Sequence, residues 1–525
     1  MLLPTSHEMA ALDRRAADEF GVPTLLQMEA AGRQVAEGAA RMITAHNPRV
    51  VIVAGKGNNG GDALVAARVM TAAGWRPTVV LLARDADVGG DAGVNLKSAR
   101  RAGLDISNLD TLATPGLRGL FTGADLIVDG LFGTGFHGPV VGLAARAIEA
   151  INGSGRPVLA IDIPSGVQGD TGAVEGPAVR ATATVTMGFP KPGLILLPGA
   201  QYAGEVWVAD VGHPQRLIES AGIHTWLVTR AMVDAAIPAR PMDSHKGAFG
   251  RVLIVAGAVG YTGAAVLSAL GALRGGAGLV NLAVPQSIYP IVASVVVEGM
   301  PVPLADHEGA LAESAADQVV DLTRSADVVA CGPGLSRLNG PRSIVRRLVA
   351  ECTRPLVLDA DALNNLAGSA ADLKRARVPV VITPHPGEMA RLMDVTTREV
   401  QKDRLASARA GAERFGVTVV LKGARTIVAS PDGTAYVIPT GNPAMATGGM
   451  GDVLTGAVAA LIGQGLTPPI AAWTGAYLHG LAGDLAAQAR GPAGILAREV
   501  ADHLPAALRA VRTGTALDAA RRFPP

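Results

Sequence analysis

Cysteine is nearly absent from this chain: only Cys331 and Cys352 occur in 525 residues. Two thiols without a metal-ligand spacing make neither a disulfide framework nor a zinc site, and a reducing cytoplasmic setting is expected. Aromatic residues are scarce as well, at 3%, which leaves no stacking platform for nucleic-acid bases. An excess of one charge is missing too. The formal net charge is +1, so nothing draws the protein electrostatically to nucleic acid or to an anionic membrane. The N-terminal MLLPTSHEMAALDRR has no basic stretch followed by an apolar core, so no secretory signal is expected. One uncharged run, 252–273, is long enough to span a bilayer. Its glycines at 257, 260 and 263 divide it into a strand, a turn and a helix, and a soluble reading follows.

What is present is apolar and glycine-rich. Hydrophobic residues make up 49% and there are 65 glycines, dispersed among strand-like runs rather than gathered in low-complexity blocks. Disorder is therefore excluded, and the length implies more than one domain. Apolar runs repeatedly end in Gly- and Asp-bearing turns and are followed by helical periodicity. That is the pattern of parallel α/β folds, in which ligands bind beyond the carboxyl ends of strands.

In the first half, residues 9–40 have helical spacing. A strand at 49–54 runs into Gly55-Lys56-Gly57-Asn58-Asn59-Gly60-Gly61-Asp62, with a helix expected over 63–73. Strand, glycine-rich turn and helix suit phosphate, although this is neither a P-loop nor the usual dinucleotide fingerprint. A turn that merely tolerates left-handed conformations remains the alternative. Further strands are expected at 77–82, 125–129, 157–161 and 205–210. Asn59, Asp129, Asp162 and Ser165 fall at strand ends, where oxygen-bearing side chains suit a hard cation, a monovalent ion included. Asp162 is a candidate acid/base or else a turn cap.

The motifs GKGNNGGD, VDGLFGTG, DIPSGVQGDTG and TMGFPKPG closely resemble the epimerase domain of NAD(P)H-hydrate repair proteins, over most of residues 1–212. The resemblance implies that Asn58, Asn59, Gly60, Gly61 and Asp62 hold the hydrated nicotinamide nucleotide. It implies the same of Gly133, Thr134, Gly135, Phe136, His137, Gly138, Pro139 and Asp162. It further implies that Asn59, Asp129 and Ser165 hold a potassium ion. The chain departs from the family pattern at Ala30 and Ala63.

A domain boundary is expected between 213 and 240, where prolines cluster and periodicity fades. Beyond it, strands are expected at 251–256, 279–284, 327–331, 355–359, 378–383 and 417–421. The second half is organised around Gly441–Gly456, GNPAMATGGMGDVLTG. Glycines there let the backbone approach a ligand, and a helix starting there aims unpaired N–H groups at an anion. Asp452 would repel that anion, so it reads either as a base acting on a hydroxyl or as a helix cap. Lys422 and Arg425 can neutralise phosphate, and the amide of Gly451 can hold a transferring phosphoryl group. His385 reads either as a hydrogen-bonding partner of substrate or as an ordinary turn residue.

SHKG, GYTGA, CGPGL, LDADALN, TPHPGE, LKGART and GNPAMATGGMGD follow in that order. The series closely resembles the ADP- or ATP-dependent NAD(P)H-hydrate dehydratase domain, a relative of ribokinase-type kinases, over roughly 225–515. The resemblance implies that Ala264, Gly334, His385 and Asp452 contact the hydrated cofactor. Lys422, Gly423, Ala424, Arg425, Thr426 and Gly451 would bind the nucleotide, ADP with Mg²⁺. Ala444 and Met450 depart from the family pattern.

The expectation is thus two Rossmann-like α/β/α domains, the second ribokinase-like: an epimerase at 1–215 and a dehydratase at 225–525. The expected protein is a cytoplasmic homo-oligomer that acts on hydrated NADH or NADPH and consumes ADP. A ribokinase-like kinase of a hydroxymethylpyrimidine or sugar is the competing enzyme, and a non-catalytic nucleotide-binding protein is the other alternative.

Overall fold

Val50, Val51, Ile52, Val53 and Ala54 are all buried, as a central parallel strand covered on both faces must be. A computed structural model describes residues 1–45, 47–108, 114–516 and 518–522. The chain divides into one unit formed by Met1–Ile223 with the segment beginning at Ala519, and a second formed by His224–Asp518. Among the described residues no helix is long and apolar enough to cross a membrane. The uncharged run at 252–273 instead holds a strand, Arg251–Val255, and a helix, Thr262–Arg274.

The first unit is built on β1 (Val50–Ala54), β2 (Thr78–Leu81), β3 (Asp105–Asn108), β4 (Leu126–Gly130), β5 (Val158–Ile161), β6 (Ala183–Met187) and β7 (Glu205–Ala209). All pairings are parallel, in the order β7-β6-β5-β4-β1-β2-β3. The reversal between β1 and β4 opens a crevice at the strand ends. The helical spacing over 9–40 belongs to two helices, Ser6–Phe20 and Thr24–Met42. Gly21 closes the first in a left-handed cap with φ 68°, and Pro23 precedes the second.

The second unit contains β8 (Thr225–Leu227), β9 (Arg251–Val255), β10 (Leu279–Pro285) and β11 (Met300–Leu304). A small hairpin, β12 (Asp306–His307) with β13 (Ala310–Leu311), follows. Then come β14 (Val328–Cys331), β15 (Leu356–Leu358), β16 (Val380–Ile382), β17 (Thr418–Leu421), β18 (Ile427–Ala429) and β19 (Ala435–Val437). Its ten-stranded sheet runs β11-β10-β9-β14-β15-β16-β17-β18-β19-β8. It is parallel except where β18 pairs antiparallel with β17 and β19. Helices Thr262–Arg274 and Met450–Gly463 cross it in intimate contact. A Cβ at Gly271 would lie 2.2 Å from the Val453 carbonyl oxygen, and one at Gly456 would lie 2.0 Å from that of Ser268. Only glycine permits backbones to pack this closely.

The last strand, β20 (Ala520–Arg522), returns to the first sheet and pairs parallel with β7. The expected dehydratase span of 225–525 therefore overreaches at its end. Three residues without alternation carry no sheet assignment of their own.

Candidate functional site

The GKGNNGGD segment is not a loop throughout: its second half is helix, within the span Asn58–Ala72. The glycines serve packing rather than slack. A Cβ at Gly60 would lie 1.9 Å from the Gly55 carbonyl oxygen, and one at Gly61 would lie 2.5 Å from Met28 Sδ. Asn58 is exposed at the helix start, while Asn59 and Asp62 are buried.

Asn59 donates through Nδ2 to the Phe132 carbonyl at 3.0 Å. Its Oδ1 is buried without a partner among the described residues. Asp129, fully buried at the end of β4, accepts from the Ser165 N–H at 2.8 Å and the Ser165 hydroxyl at 2.6 Å. Burial raises its pKa to about 6, against the pull of those donors. Phe132 N–H in turn donates to Ser165 Oγ at 2.9 Å. Gly133 packs on Asn59, since a Cβ there would lie 3.3 Å from Oδ1. Asn59, Asp129, Ser165 and the 132–133 turn therefore form one oxygen-rich cluster. Thr134, Phe136 and Gly138 are half-buried along the same loop; Gly135, His137 and Pro139 are exposed.

Asp162 follows β5 with φ 63°, a left-handed conformation that a non-glycine residue adopts only under local constraint. Its Oδ1 accepts from Lys191 Nζ at 2.5 Å, from the Thr186 hydroxyl at 3.3 Å and from the Met187 N–H at 3.3 Å. Asp62 faces this group. Its carboxyl is pushed well above the ordinary range by burial, then by the charges of Asp162 and Asp13. In sequence Lys191 is only one letter of TMGFPKPG; its partner lies 29 residues away, and no local signal marks the pair.

In the second unit, helix Met450–Gly463 starts from Gly449, left-handed at φ 88°, with Asp452 the third helical residue. Met450 is buried in the core, so the departure from the family pattern there changes the packing. A Cβ at Gly449 would lie 2.5 Å from Leu267, and one at Gly451 would lie 3.1 Å from Lys422 Nζ. Gly451 thus lies directly over the lysine. Lys422 donates to Asp359 Oδ1 at 2.5 Å and lies 3.8 Å from Glu388 Oε2. Asp359, buried, also accepts from the Thr455 hydroxyl at 2.8 Å.

Asp452 is partly buried, and its pKa rises to about 7. Burial is the main cause; Asp359, Asp361 and Glu388 push the same way, while Lys422 opposes them. His385 caps helix Pro386–Met393, its Nδ1 accepting from the N–H groups of Gly387 at 3.0 Å and Glu388 at 3.3 Å. An Nδ1 that accepts leaves the proton on Nε2, which lies 3.4 Å from Glu388 Oε1 on a half-exposed ring. Burial lowers its pKa, which favours that neutral form.

Gly334, at φ 60°, packs on the helix carrying Ala264: a Cβ there would lie 2.9 Å from Ala264 Cβ. In the 422–426 loop, Gly423 and Ala424 are exposed, and Thr426 donates to the Gly423 carbonyl at 3.0 Å. Arg425, at φ 56°, is turned to the Pro439 carbonyl. Arg404 supports the loop from below, donating to the carbonyls of Leu421 at 3.1 Å and Lys422 at 3.2 Å. Burial lowers its pKa to about 10. The roles of Asp359, Glu388 and Arg404 are not legible in the sequence, because each depends on a partner distant in the chain.

A family profile described as NAD(P)H-hydrate dehydratase matches residues 252–506, and one described as YjeF-related protein N-terminus matches 26–193. The chain is 45% identical over 515 residues to the bifunctional NAD(P)H-hydrate repair enzyme Nnr of Moorella thermoacetica, covering 97% of each. To the protein of the same name from Thermofilum pendens it is 40% identical over 509 residues, covering 96% of each. It is also similar to the ADP/ATP-dependent NAD(P)H-hydrate dehydratase of Bacillus subtilis, co-crystallised with ATP and Mg²⁺. There the identity is 33% and the TM-score 0.49, over 55% of this chain and 98% of that one.

Proposed function

Since the chain belongs to the family of bifunctional NAD(P)H-hydrate repair enzymes, we propose how its two units divide that work and which residues carry it. The enzyme is an NAD(P)H-hydrate epimerase and an ADP-dependent NAD(P)H-hydrate dehydratase in one polypeptide. It interconverts the R and S hydrates and dehydrates the S form at the expense of ADP, giving NAD(P)H, AMP and phosphate. The small-molecule kinase reading gives way to this one, because the relatives match along the whole chain.

The observation that carries the dehydratase assignment is Asp452 beside Lys422 at a helix N-terminus, with a pKa near neutrality. Asp452 takes the proton of the hydrate hydroxyl. That oxygen attacks the terminal phosphoryl of ADP, and AMP departs. Amides at the start of the 450–463 helix and the 422–426 loop receive the developing charge. Phosphate is a far better leaving group than hydroxide. The ring nitrogen expels it, and loss of a proton from the adjacent ring carbon restores the reduced nicotinamide. The Lys422 charge is already shared with Asp359 and Glu388, so its task is to hold the carboxylates around Asp452 in place as much as to meet phosphate. Ala264, Gly334 and the Nε2–H of His385 line the hydrate side. Mg²⁺ would come with ADP and would supply neutralisation of phosphate charge, the phosphates and water serving as its ligands because no cluster of protein carboxylates and histidines suited to a metal is found among the described residues.

In the first unit, Asn58 to Asp62, Gly133 to Pro139 and Asp162 surround the hydrate. The unpartnered Asn59 Oδ1, with Asp129 and Ser165, suits potassium, which would supply a fixed positive charge beside the substrate loop. Exposed Ile291, Val295, Val297 and Met300 near the edge strand β11 support a homo-oligomer.

The test is Asp452→Asn incubated with the S hydrate and ADP. Recovery of reduced-nicotinamide absorbance is expected to fall by on the order of 10²-fold or more, with epimerisation kept. Full recovery would refute the assignment.

A further inference from the structure

Lys191 is among the largest fully buried side chains of the protein, 1% exposed. An ammonium group has three N–H bonds to give and accepts none. All three are committed: to Asp162 Oδ1 at 2.5 Å, to Thr186 Oγ1 at 3.1 Å and to the Met187 carbonyl at 2.9 Å. No donor remains for a ligand. The charge of Lys191 is therefore directed wholly at Asp162, and a buried pair of this kind persists because its remaining donors are also satisfied.

The consequences fall on two carboxyl groups. The hydrogen bonds Asp162 accepts all land on Oδ1, which leaves Oδ2 without a partner among the described residues. Asp62, buried on the helix that follows β1, has neither a hydrogen-bond donor nor a paired cation among those residues. It is faced by Asp162, by Asp13 and by Lys191; Asp13 is itself tied to His213 Nε2 at 2.8 Å. Two carboxyl groups in one pocket, only one of which owns a counter-ion, do not ionise together.

We propose that Lys191 is the positioning residue of the epimerase site: by holding Asp162 as the anion it makes that carboxylate the base and leaves Asp62 beside it as the acid. This rests on the epimerase reading of the first unit. Asp62 gives its proton to the hydroxyl on the hydrated ring carbon. The carbon–oxygen bond breaks with its electrons on the departing water, and the ring-nitrogen lone pair forms a carbon–nitrogen double bond. Water then adds to the opposite face, the π electrons return to nitrogen, and the proton released by the added water goes to Asp162. The reverse epimerisation starts from the exchanged protonation state, so one proton passing between the two carboxyls serves both directions.

The experiment follows interconversion of the two hydrate epimers by the full-length enzyme without ADP, as a function of pH. Lys191→Met is expected to change the shape of the kcat–pH profile and not only its height, because Asp162 loses the buried cation it pairs with at 2.5 Å. Asp62→Asn is expected to lower kcat by on the order of 10²-fold with KM changed less than about threefold. A Lys191→Met enzyme whose rate falls equally at all pH values would make the lysine merely structural and overturn the proposal. Carbon-13 titration of the aspartate carboxyls in the unmodified enzyme tests the same assignment independently of the lysine variant, the Asp62 signal being identified by its loss in Asp62→Asn. The Asp62 signal must titrate above the ordinary carboxylate range, and one that titrates within that range overturns the assignment. A wild-type enzyme that left the epimers unchanged would strike the epimerase reading itself, while the carboxyl titration would still distinguish the acid from the base.

Discussion

The proposed base, Asp452, is set by its burial and by three neighbouring carboxylates, against the pull of Lys422, rather than by its position on the helix alone. A helix N-terminus favours a carboxylate anion, yet burial together with Asp359, Asp361 and Glu388 raises the group to about 7. The base form is the ionised one, so dehydratase kcat is expected to rise with pH through an acid limb near neutrality. A limb at the ordinary carboxylate range would contradict this. Removing one of the raising charges moves the limb the other way. Asp359→Asn is expected to shift it to lower pH, measured as the midpoint of the kcat profile at saturating ADP, and to destabilise the second unit by about 3 kcal/mol, since Lys422 keeps only Glu388 at 3.8 Å. At this scale Asp452 and Lys422 are legible in the sequence, the first because it follows three glycines and opens an apolar helical run, the second because it ends an apolar strand at a Gly-bearing turn. Asp359 is visible as a strand-end carboxylate, but not as the partner of a lysine 63 residues away. Lys191 and Arg404 are invisible for the same reason: a buried cation is defined by what surrounds it in space.

Helix starts contribute to both candidate sites. Asn58 to Gly61 and Met450 to Asp452 all lie in first turns, where unpaired N–H groups remain. The strands leading into these turns are legible from their apolar runs, to within a residue or two. The helix at 58 is not, since consecutive glycines and asparagines have poor helical propensity. Tertiary packing overrides that preference, the Gly55 carbonyl and Met28 occupying the space of the missing Cβ atoms. Gly60→Ala tests this directly. It is expected to destabilise the first unit by about 1–3 kcal/mol or more and to abolish epimerisation while dehydration of the pure S hydrate persists. Unchanged thermal unfolding would show that the contact can relax. The short strands β18 and β19 are not legible in the sequence, whereas β15 and β16, equally short, stand out because they lie within longer apolar runs that end in Asp- or Pro-bearing turns.

The whole molecule is two α/β units with sheets of different strand order; that both halves are α/β is legible in the sequence, the return of the chain's last strand to the first sheet is not. β20 returns to the first sheet with Ala520 buried. Removing the residues from 519 onward is expected to lower the unfolding temperature of the first unit and its epimerase activity, with the dehydratase spared. An unaltered first transition would make the strand dispensable. The two activities have complementary reach, since dehydration consumes one epimer and epimerisation replenishes it. The central claim is that Asp452 drives dehydration and Asp162 drives epimerisation. It is tested most directly by the recovery of reduced nicotinamide from an equal mixture of R and S hydrates with ADP. The wild-type enzyme is expected to restore all of it, Asp162→Asn only the S half before stalling at the spontaneous rate, and Asp452→Asn none. Prompt and complete recovery by either variant would contradict the account.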